Sequence, residues 1–387
     1  MLIVRDSQVK KLFYKEQEID KILDWKGNVV FEKESAPVMT NDIKFHTTSA
    51  VTSSTNRFTV RFTDSTTAVT NYSEKNTWYT MEIPTDKTVK SIESDNTYID
   101  ELDISCKVSL STNLISGRPK IAKFISCDAT SNTSLSDAFT YVASESVEVR
   151  NLDARNATDL NSLCYNAKSL ETIVLRDLNV SKATNMQSMF RYCSGATTID
   201  VTNWDTSSAT DINHAFANCG NLASLDLSSW NISNVTDMSH LCYGCHNLTS
   251  VNMSRLNAKK VAKMTNMFYG CNNLTSVNMS GFETSEVYDV SYLFSNCYHL
   301  QSLDLSSFIT TSLENLKYTF YYCSKLTDLD ISGWDLSNLY YSTSDTFTGC
   351  GALKTIYMRG CNQTTIDKIK SALTSASILS NVTIITE

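Results

Sequence analysis

One pattern of apolar and polar positions recurs from about residue 120 and repeats every 26 residues. In the unit LTSVNMSGFETSEVYDVSYLFSNC, Val277 and Met279 alternate with polar residues, which predicts a short strand with both side chains on one face. The apolar spacing in residues 287–294 favours a helical or 3₁₀ turn. One such unit cannot bury its own apolar face, whereas stacked units bury a continuous core. The pattern therefore predicts a solenoid over residues 119–387.

Registers of like residues make this repeat visible. A large apolar residue returns at Leu152, Leu178, Trp204, Trp230, Leu256, Phe282, Phe308 and Trp334. Cysteine returns at Cys193, Cys219, Cys245, Cys271, Cys297 and Cys323, and Cys350 follows one residue late. Because eleven of the twelve cysteines lie on repeat positions, we expect free, buried thiols rather than a disulfide framework. The repeat also explains both members of Cys242–Cys245, and without a second C-x2-C we expect no zinc and no other cofactor.

The two ends of the chain depart from this repeat. From about residue 361, Ile366, Ile369 and Leu373 have helical spacing and the final NVTIITE reads as a strand, so a helix and a strand are predicted to cap the solenoid. Residues 37–118 contain short runs rich in Val, Thr, Phe and Tyr, which predict a small antiparallel, sandwich-like β domain. Residues 1–36 are predicted to form β hairpins. The fold class is thus mainly β, with hairpins, an antiparallel domain and a leucine-rich-repeat α/β solenoid.

Charge and hydropathy restrict the classes of partner. The net charge of −8 and the pI near 5.3 argue against a nucleic-acid binder, which normally carries a basic face. No apolar stretch is long enough to span a membrane, so no membrane insertion is expected. The N-terminal MLIVRDSQ reaches charge after four residues, which is unlike the apolar core of a secretory signal.

The repeat resembles the BspA-type leucine-rich repeat of bacterial surface proteins, in runs such as LDLSSWNISNVTDMSHLCYGC. The resemblance covers about residues 120–360. It implies a leucine-rich solenoid that serves adhesion and binding without enzymatic activity. Members of that family are usually exported, and the expected lack of a signal peptide and cell-wall anchor departs from this pattern.

A shorter repeat occupies the N-terminal segment. Four residues recur eleven positions later, as Leu12, Tyr14, Lys15 and Ile19 followed by Leu23, Trp25, Lys26 and Val30. This segment resembles the tandem hairpins that begin many tailed-phage tail and virion proteins. The resemblance implies attachment to a virion through Leu12, Tyr14, Ile19, Leu23, Trp25 and Val30. The alternative is that this segment is only the first hairpin of the next domain.

No catalytic constellation stands out in the chain. Of the five histidines, His214 and His240 lie one period apart and are expected to stack on neighbouring turns. Two histidines without a third ligand favour exposed polar surface over a metal site. There is no Gly-rich phosphate loop and no G-x-S-x-G, so we expect no enzyme.

Two sets of residues are candidates for a binding surface. The first is a ladder of short polar residues on the outer side of the strands, formed by Asp200, Asp226, Asn252, Asn278, Asp304 and Asp330. The second is a group of tyrosines in the last third of the chain, where exposed rings would favour an interface: Tyr288, Tyr292, Tyr298, Tyr318, Tyr321, Tyr322, Tyr340, Tyr341 and Tyr357. The alternatives are solubility for the first set and packing between turns for the second.

These observations support a non-enzymatic phage virion protein as the first hypothesis. Its hairpins would bind other virion proteins, and its solenoid would bind a host-surface glycan or protein, or neighbouring virion subunits. A homo-oligomer is an open alternative. The second hypothesis is a bacterial or protist leucine-rich-repeat adhesin or scaffold on a cell surface.

Overall fold

A computed structural model describes residues 13–14, 17–18, 21–23, 29–32, 39–47, 56–72, 74, 77–94, 99–110, 121–140, 144–176, 178–254, 256–282, 284–343 and 345–387. The chain divides into two compact units, Met1–Val38 and Met39–Glu387. In the first unit, β1 (Phe13–Tyr14) pairs antiparallel with β2 (Gln17–Glu18), and β3 (Lys21–Leu23) pairs antiparallel with β4 (Val29–Glu32). The predicted N-terminal β hairpins are confirmed.

The second unit begins with two antiparallel layers. The strands are β5 (Asp42–Thr47), β6 (Asn56–Phe62), β7 (Thr67–Tyr72), β8 (Trp78–Glu82), β9 (Val89–Ser94) and β10 (Ile99–Ser105). One layer has the order β7-β6-β9, and the other joins β10, β5 and β8. Phe45 of β5 stacks on Phe58 of β6 with ring centroids 4.1 Å apart, so a shared aromatic core holds the layers together.

The antiparallel layer continues directly into the solenoid. Strand β10 pairs antiparallel with β5 and, on its other side, parallel with β11 (Ile121–Ile125). The resulting seven-stranded sheet contains strands from both sides of residue 119, where the sequence suggested a domain boundary. The antiparallel strands and the first solenoid turns therefore share one sheet. This pairing covers the open edge of the first solenoid turn, which would otherwise expose unpaired backbone groups.

The solenoid repeats a strand in each turn. Its strands are β12 (Ser146–Arg150), β13 (Leu152–Asp153), β14 (Thr172–Val174), β15 (Leu178–Asn179), β16 (Thr198–Asp200), β17 (Ser224–Asp226), β18 (Ser250–Asn252), β19 (Ser276–Asn278), β20 (Ser302–Asp304), β21 (Asp328–Asp330) and β22 (Thr355–Tyr357). Two of the early turns carry a second short strand, namely β13 and β15. Neighbouring turns pair in parallel with like residues in register, as Leu225 with Val251 and Val251 with Val277. The predicted solenoid is confirmed.

The segment that precedes each cysteine differs from its prediction as a helical turn. In residues 287–294, the amides of Val290, Tyr292 and Phe294 donate to carbonyls of the next turn at 2.9–3.0 Å. Between them, the Leu293 amide donates to the Val290 carbonyl at 3.1 Å. The segment is therefore a row of tight turns in which alternate amides bind the neighbouring turn. An α-helix would direct all of these amides back along its own chain.

The interior is built from the registers that define the repeat. All twelve cysteines are free, and eleven of them are buried. Each thiol of the cysteine register donates to a carbonyl one turn away, as Cys219 Sγ does to the Phe190 oxygen at 3.0 Å. Burial raises the pKa of Cys193 to about 12, which keeps that thiol protonated and unreactive.

A helix and a strand close the C-terminal end, as predicted. The helix α1 (Gln363–Ser375) begins at Asn362, whose side chain accepts a hydrogen bond from the Thr365 amide at 2.8 Å. Its Ile369 and Leu373 are buried against the last turn. Strand β23 (Thr383–Ile385) then pairs in parallel with β22. None of the helices in the described part of the chain is long and apolar enough to cross a membrane.

Candidate binding surface

The polar ladder predicted as a binding surface lies on the outer side of the strands and will be called the strand face. It consists of Asp200, Asp226, Asn252, Asn278, Asp304 and Asp330, which are half-buried or exposed. A shallow groove with a volume of about 430 Å³ crosses three of these strands, β17, β18 and β19. The groove offers short hydroxyl, carboxylate and amide groups such as Ser250 and Asn252.

Each residue of the strand face also has a local structural role. Its Oδ1 accepts a hydrogen bond from the backbone amide two residues later, at 2.9–3.3 Å in all six turns. This is an Asx turn, in which an Asp or Asn side chain replaces a backbone acceptor. Asp226 and Ser228 show the arrangement at 2.9 Å. The ladder therefore recurs because each strand must end in a turn, and such turns explain how the chain manages with few glycines and prolines.

The nine predicted tyrosines do not share one surface. Tyr357 lies on β22 with the Arg359 guanidinium carbon 4.9 Å from its ring centre. The hydroxyl of Tyr298 donates to Asn296 Oδ1 at 3.3 Å. Tyr340 is the most exposed of the nine at 82%, and it makes an edge-on pair with Tyr341.

Tyr288 shares a register with Tyr340, because the two residues are two periods apart. The amide of Glu314 donates to the Tyr288 carbonyl, and the amide of Tyr340 donates to the Glu314 carbonyl, both at 2.9 Å. The Lys263 ammonium lies 5.8 Å from the Tyr288 ring centre. The structure thus brings together only four of the predicted tyrosines, namely Tyr292, Tyr318, Tyr321 and Tyr322.

These four tyrosines belong to a longer row of rings on the tight-turn segments, which will be called the aromatic ridge. The ridge consists of His214, His240, Tyr243, Tyr269, Tyr292, Tyr318, Tyr321 and Tyr322. Successive ring centroids lie 4.3, 5.6, 5.1, 6.3, 4.7, 5.2 and 4.6 Å apart along it. Every member is half-buried except Tyr322, which is 44% exposed. The ridge is a continuous amphipathic strip across five turns.

The sequence interpretation missed two members of this strip, Tyr243 and Tyr269. The signal was present, because they are one period apart and Tyr321 follows two periods after Tyr269. Tyr292 and Tyr318 likewise continue the register of His214 and His240. The two registers are therefore visible in the sequence, whereas the contacts that join them, such as that between Tyr269 and Tyr292, are shown only by the structure.

The backbone of the ridge is unusual for aromatic residues. His214, His240, Tyr292 and Tyr318 have φ between 58° and 60°, and Tyr322 has φ of 56°. This left-handed region favours Gly and Asn and costs other residues about 1 kcal/mol or more. Most equivalent positions in other turns hold Asn, Ser or Gly: Ser162, Ser188 and Asn266 for the first register, and Asn166, Asn218, Gly244, Gly270 and Asn296 for the register of Tyr322, in which Tyr192 is a further aromatic exception. The rings are therefore retained where the backbone would prefer smaller residues.

The stacked histidines are the most electrostatically perturbed part of the ridge. The His214 and His240 rings are 4.3 Å apart and within 5° of parallel. Burial, then the neighbouring His240 and the charge of Arg191, lower the pKa of His214 to about 4. Burial also lowers the pKa of His240. Both rings are thus neutral at neutral pH.

This geometry does not converge on a metal ion. The ring nitrogens carry their lone pairs in the ring plane, so two parallel stacked rings direct them side by side rather than toward one point. Within the described residues, no group of three or more His, Cys, Asp or Glu side chains is placed to hold a metal. The Nδ1 atoms of His246 and His299 each lie 2.9 Å from a backbone carbonyl oxygen, of Gly270 and Asn272 respectively. The ring of His46 lies 5.3 Å from that of Trp78.

The predicted virion anchor falls largely outside the described structure. Leu12, Ile19 and Trp25 lie outside the described residues. Tyr14, Leu23 and Val30 lie on β1, β3 and β4, where the backbone alone is described. Their role in attachment stays a prediction.

The repeats were then compared with known proteins. The model of the family described as "Mycoplasma protein of unknown function, DUF285" matches residues 133–254 and 245–358, which together exceed half of the chain. The chain belongs to the DUF285 family. The two matches include the whole aromatic ridge and all six residues of the strand face, so both surfaces are parts of DUF285 repeats.

A solved structure and the curated proteins were also compared. The structure titled "Crystal structure of TLR13-ssRNA13 complex" matches at 15% identity with a TM-score of 0.26. The match covers 64% of this chain and 44% of that one, so the chain corresponds to less than half of that protein's length. No curated protein matches the sequence.

Proposed function

We propose that this DUF285 chain is a non-enzymatic binding protein whose aromatic ridge contacts a partner protein. The observation that carries the proposal is the left-handed backbone at His214, His240, Tyr292, Tyr318 and Tyr322. Backbone strain of this kind persists where the surroundings enforce it, and it concentrates at functional sites. Here the same backbone conformation recurs in turns from Ser162 to Tyr318, but the aromatic side chains occupy only some of them.

The physical properties of the ridge suit protein recognition. A tyrosine offers an apolar ring and a hydroxyl, and the stacking of Tyr292 on Tyr318 at 4.7 Å holds both rings in place before a partner arrives. Such preorganisation lowers the entropy that is lost on binding. Partial burial raises the pKa of Tyr292, so its hydroxyl stays neutral and can both donate and accept. The ridge therefore combines rigid contact area with hydrogen bonding.

Photo-crosslinking tests this proposal in the organism that carries the gene. A photoreactive phenylalanine analogue replaces Tyr321 on the ridge, and the matched control replaces exposed Ser276 on the strand side of the same solenoid. We expect a discrete protein adduct from position 321 and none from position 276. Adducts from position 276 alone, or equal adducts from both, would contradict the proposal.

For location, we propose a tailed-phage virion, with the unit Met1–Val38 as the attachment segment. The support is that this unit is compact by itself and that its described residues form two antiparallel strand pairs, β1–β2 and β3–β4. The bacterial cell surface is the second candidate, and the family description, which names Mycoplasma, favours it.

Immunogold labelling with an antibody to the solenoid separates the two locations. Gold on purified particles is the result expected for a virion protein. Gold on intact bacterial cells, with none on any particle, would overturn the virion proposal in favour of the cell surface. Neither result depends on which residues contact the partner.

A further inference from the structure

The end of the ridge nearest the N-terminus carries an arginine beside the stacked histidines. Arg191 lies in the turn before His214, and its charge lowers the pKa of both imidazoles. Its guanidinium carbon is 5.0 Å from the Tyr192 ring centre, and its Nη2 donates to the Tyr192 hydroxyl at 3.4 Å. We call Arg191, His214 and His240 the basic end of the ridge.

Several polar atoms of this cluster are buried without a hydrogen-bond partner. They are Nε of Arg191, Nδ1 of His240 and Oδ1 of Asn213, the residue that precedes His214. Buried polar atoms are nearly always hydrogen-bonded to protein or to water, so these three can accept a partner that the neighbouring side chains do not provide. Two of these three atoms are nitrogens that can donate, which suits an acceptor of negative charge.

The charges around the cluster leave the arginine available. No carboxylate lies within 4 Å of Arg191 among the described residues. Asp237 faces both histidines and raises their pKa, but less than burial lowers it. One oxygen of Asp237 already accepts from the Ser239 amide at 2.7 Å. The phenol rings of Tyr192 and Tyr243 complete the surroundings.

We infer that the basic end of the ridge binds an oxyanion, of the carboxylate or sulfate type, through Arg191, His214 and His240. A guanidinium matches the geometry of such groups, and partial burial strengthens its pull on them. The inference rests on the proposed function for the source of the anion, which would be an acidic group of the partner protein. Anion binding itself can be measured without that partner.

Binding of the anion is coupled to protonation of the histidines. Free His214, with its pKa near 4, does not take up a second positive charge beside Arg191 and His240 at neutral pH. A bound anion neutralises that repulsion and raises the pKa of both imidazoles. By thermodynamic reciprocity, protonation must raise the affinity for the anion by the same factor. Affinity is therefore expected to increase as the pH falls toward the pKa of His214, about 4.

The experiment follows the five histidine Cε1 protons by NMR across a pH titration of the full chain, in chloride, acetate and sulfate at equal ionic strength. We expect the pKa of His214 to rise by about one unit in acetate or sulfate relative to chloride, which is a tenfold increase in its affinity for the proton. His299, in a distant turn, should not respond. A rise in acetate identifies a carboxylate-type site, and a rise confined to sulfate identifies a sulfate-type site.

Matched variants assign the effect to this cluster. Arg191→Gln should abolish the anion-dependent rise, and Arg191→Lys should keep part of it, while Arg155→Gln, at another exposed arginine of the solenoid, should leave it intact. Equal His214 titrations in chloride, acetate and sulfate would overturn the inference. So would a rise that persists in Arg191→Gln, because that result would mean a nonspecific salt effect. If no crosslinked adduct forms at position 321 while the anion still raises the pKa of His214, the proposed function is contradicted and the anion site is not.

Discussion

The strand face and the aromatic ridge are built by the same repeat but use their side chains differently. On the strand face, the Oδ1 atoms of residues such as Asp226 and Asp304 close the turn that follows each strand. On the ridge, Tyr292 and Tyr318 occupy a backbone conformation that smaller residues would adopt more easily. The difference teaches that a regular ladder of polar residues can be fully explained by folding. A residue that departs from the pattern at a repeated position is the stronger sign of function.

Among variants of the two surfaces, the largest expected effect tests the folding role of the strand face. Replacing Asp226, Asp304 and Asp330 with alanine removes the acceptor of three separate turns, at about 1 kcal/mol each by analogy with helix caps. Asp226 is several turns from the other two, but Asp304 and Asp330 lie side by side on paired strands, so the costs add only in part. The free energy of unfolding should fall by about 2–3 kcal/mol in urea denaturation.

The matched control replaces the same three residues with asparagine. Asparagine keeps the Oδ1 acceptor, as Asn252 and Asn278 do in neighbouring turns, so most of the stability should remain. An alanine triple variant as stable as the native chain would show that the strand face has no folding role. The contrast between the two surfaces would then be wrong.

A smaller effect concerns the histidine pair of the ridge and its response to pH. The folded pKa of His214, about 4, lies below the ordinary value of 6.5, so the unfolded chain binds protons more readily. The contribution of neutral His214 to the free energy of unfolding is fully present above pH 6.5 and is lost as the pH falls toward 4. After allowance for solvent screening of a half-exposed ring, the loss is about 1–2 kcal/mol.

Thermal or urea denaturation between these pH values measures the loss. His214→Asn should flatten this part of the stability profile, because asparagine does not titrate and accepts the left-handed backbone. His299→Asn should leave the slope in place. A slope that is unchanged in His214→Asn would mean that other groups cause it.

The smallest expected effect is on the stability of the ridge itself. In Tyr318→Asn, relief of the left-handed backbone offsets the lost ring contacts, so unfolding free energy should change by less than about 0.5 kcal/mol. The neighbouring Phe320 is buried, and Phe320→Ala should cost about 3–5 kcal/mol. A large loss from Tyr318→Asn, measured by the same denaturation, would make that ring part of the core.

The repeat made most of the fold predictable. A constant period places like residues in register, so the strand ladder and the buried cysteines followed from spacing alone. The hairpins and the cap followed from local signals, such as the helical spacing of Ile369 and Leu373. These features depend on residues near in sequence or separated by whole periods.

Three features were not predicted, for identifiable physical reasons. The apolar spacing in residues 287–294 suits a helical turn and a row of tight turns equally well, and hydrogen bonds to the next turn decide between them. The ridge depends on which side chains of adjacent turns meet across the surface, as Tyr243 and Tyr269 do. The recurrent spacing of Asp or Asn and Ser also indicates the Asx role of Asp226, but this ladder was interpreted as a binding surface, with solubility as the alternative.

The most direct test compares the affinities of two matched variants for the partner captured at position 321. The ridge variant carries Tyr292→Asn and Tyr318→Asn, and the strand-side variant carries Ser276→Arg and Ser302→Arg at exposed positions. If the ridge is the contact surface, the first variant should bind at least about thirtyfold more weakly, as expected for loss of two interface tyrosines, while the second stays within about twofold of the native affinity. Native affinity in the ridge variant together with lost binding in the strand-side variant would contradict the account.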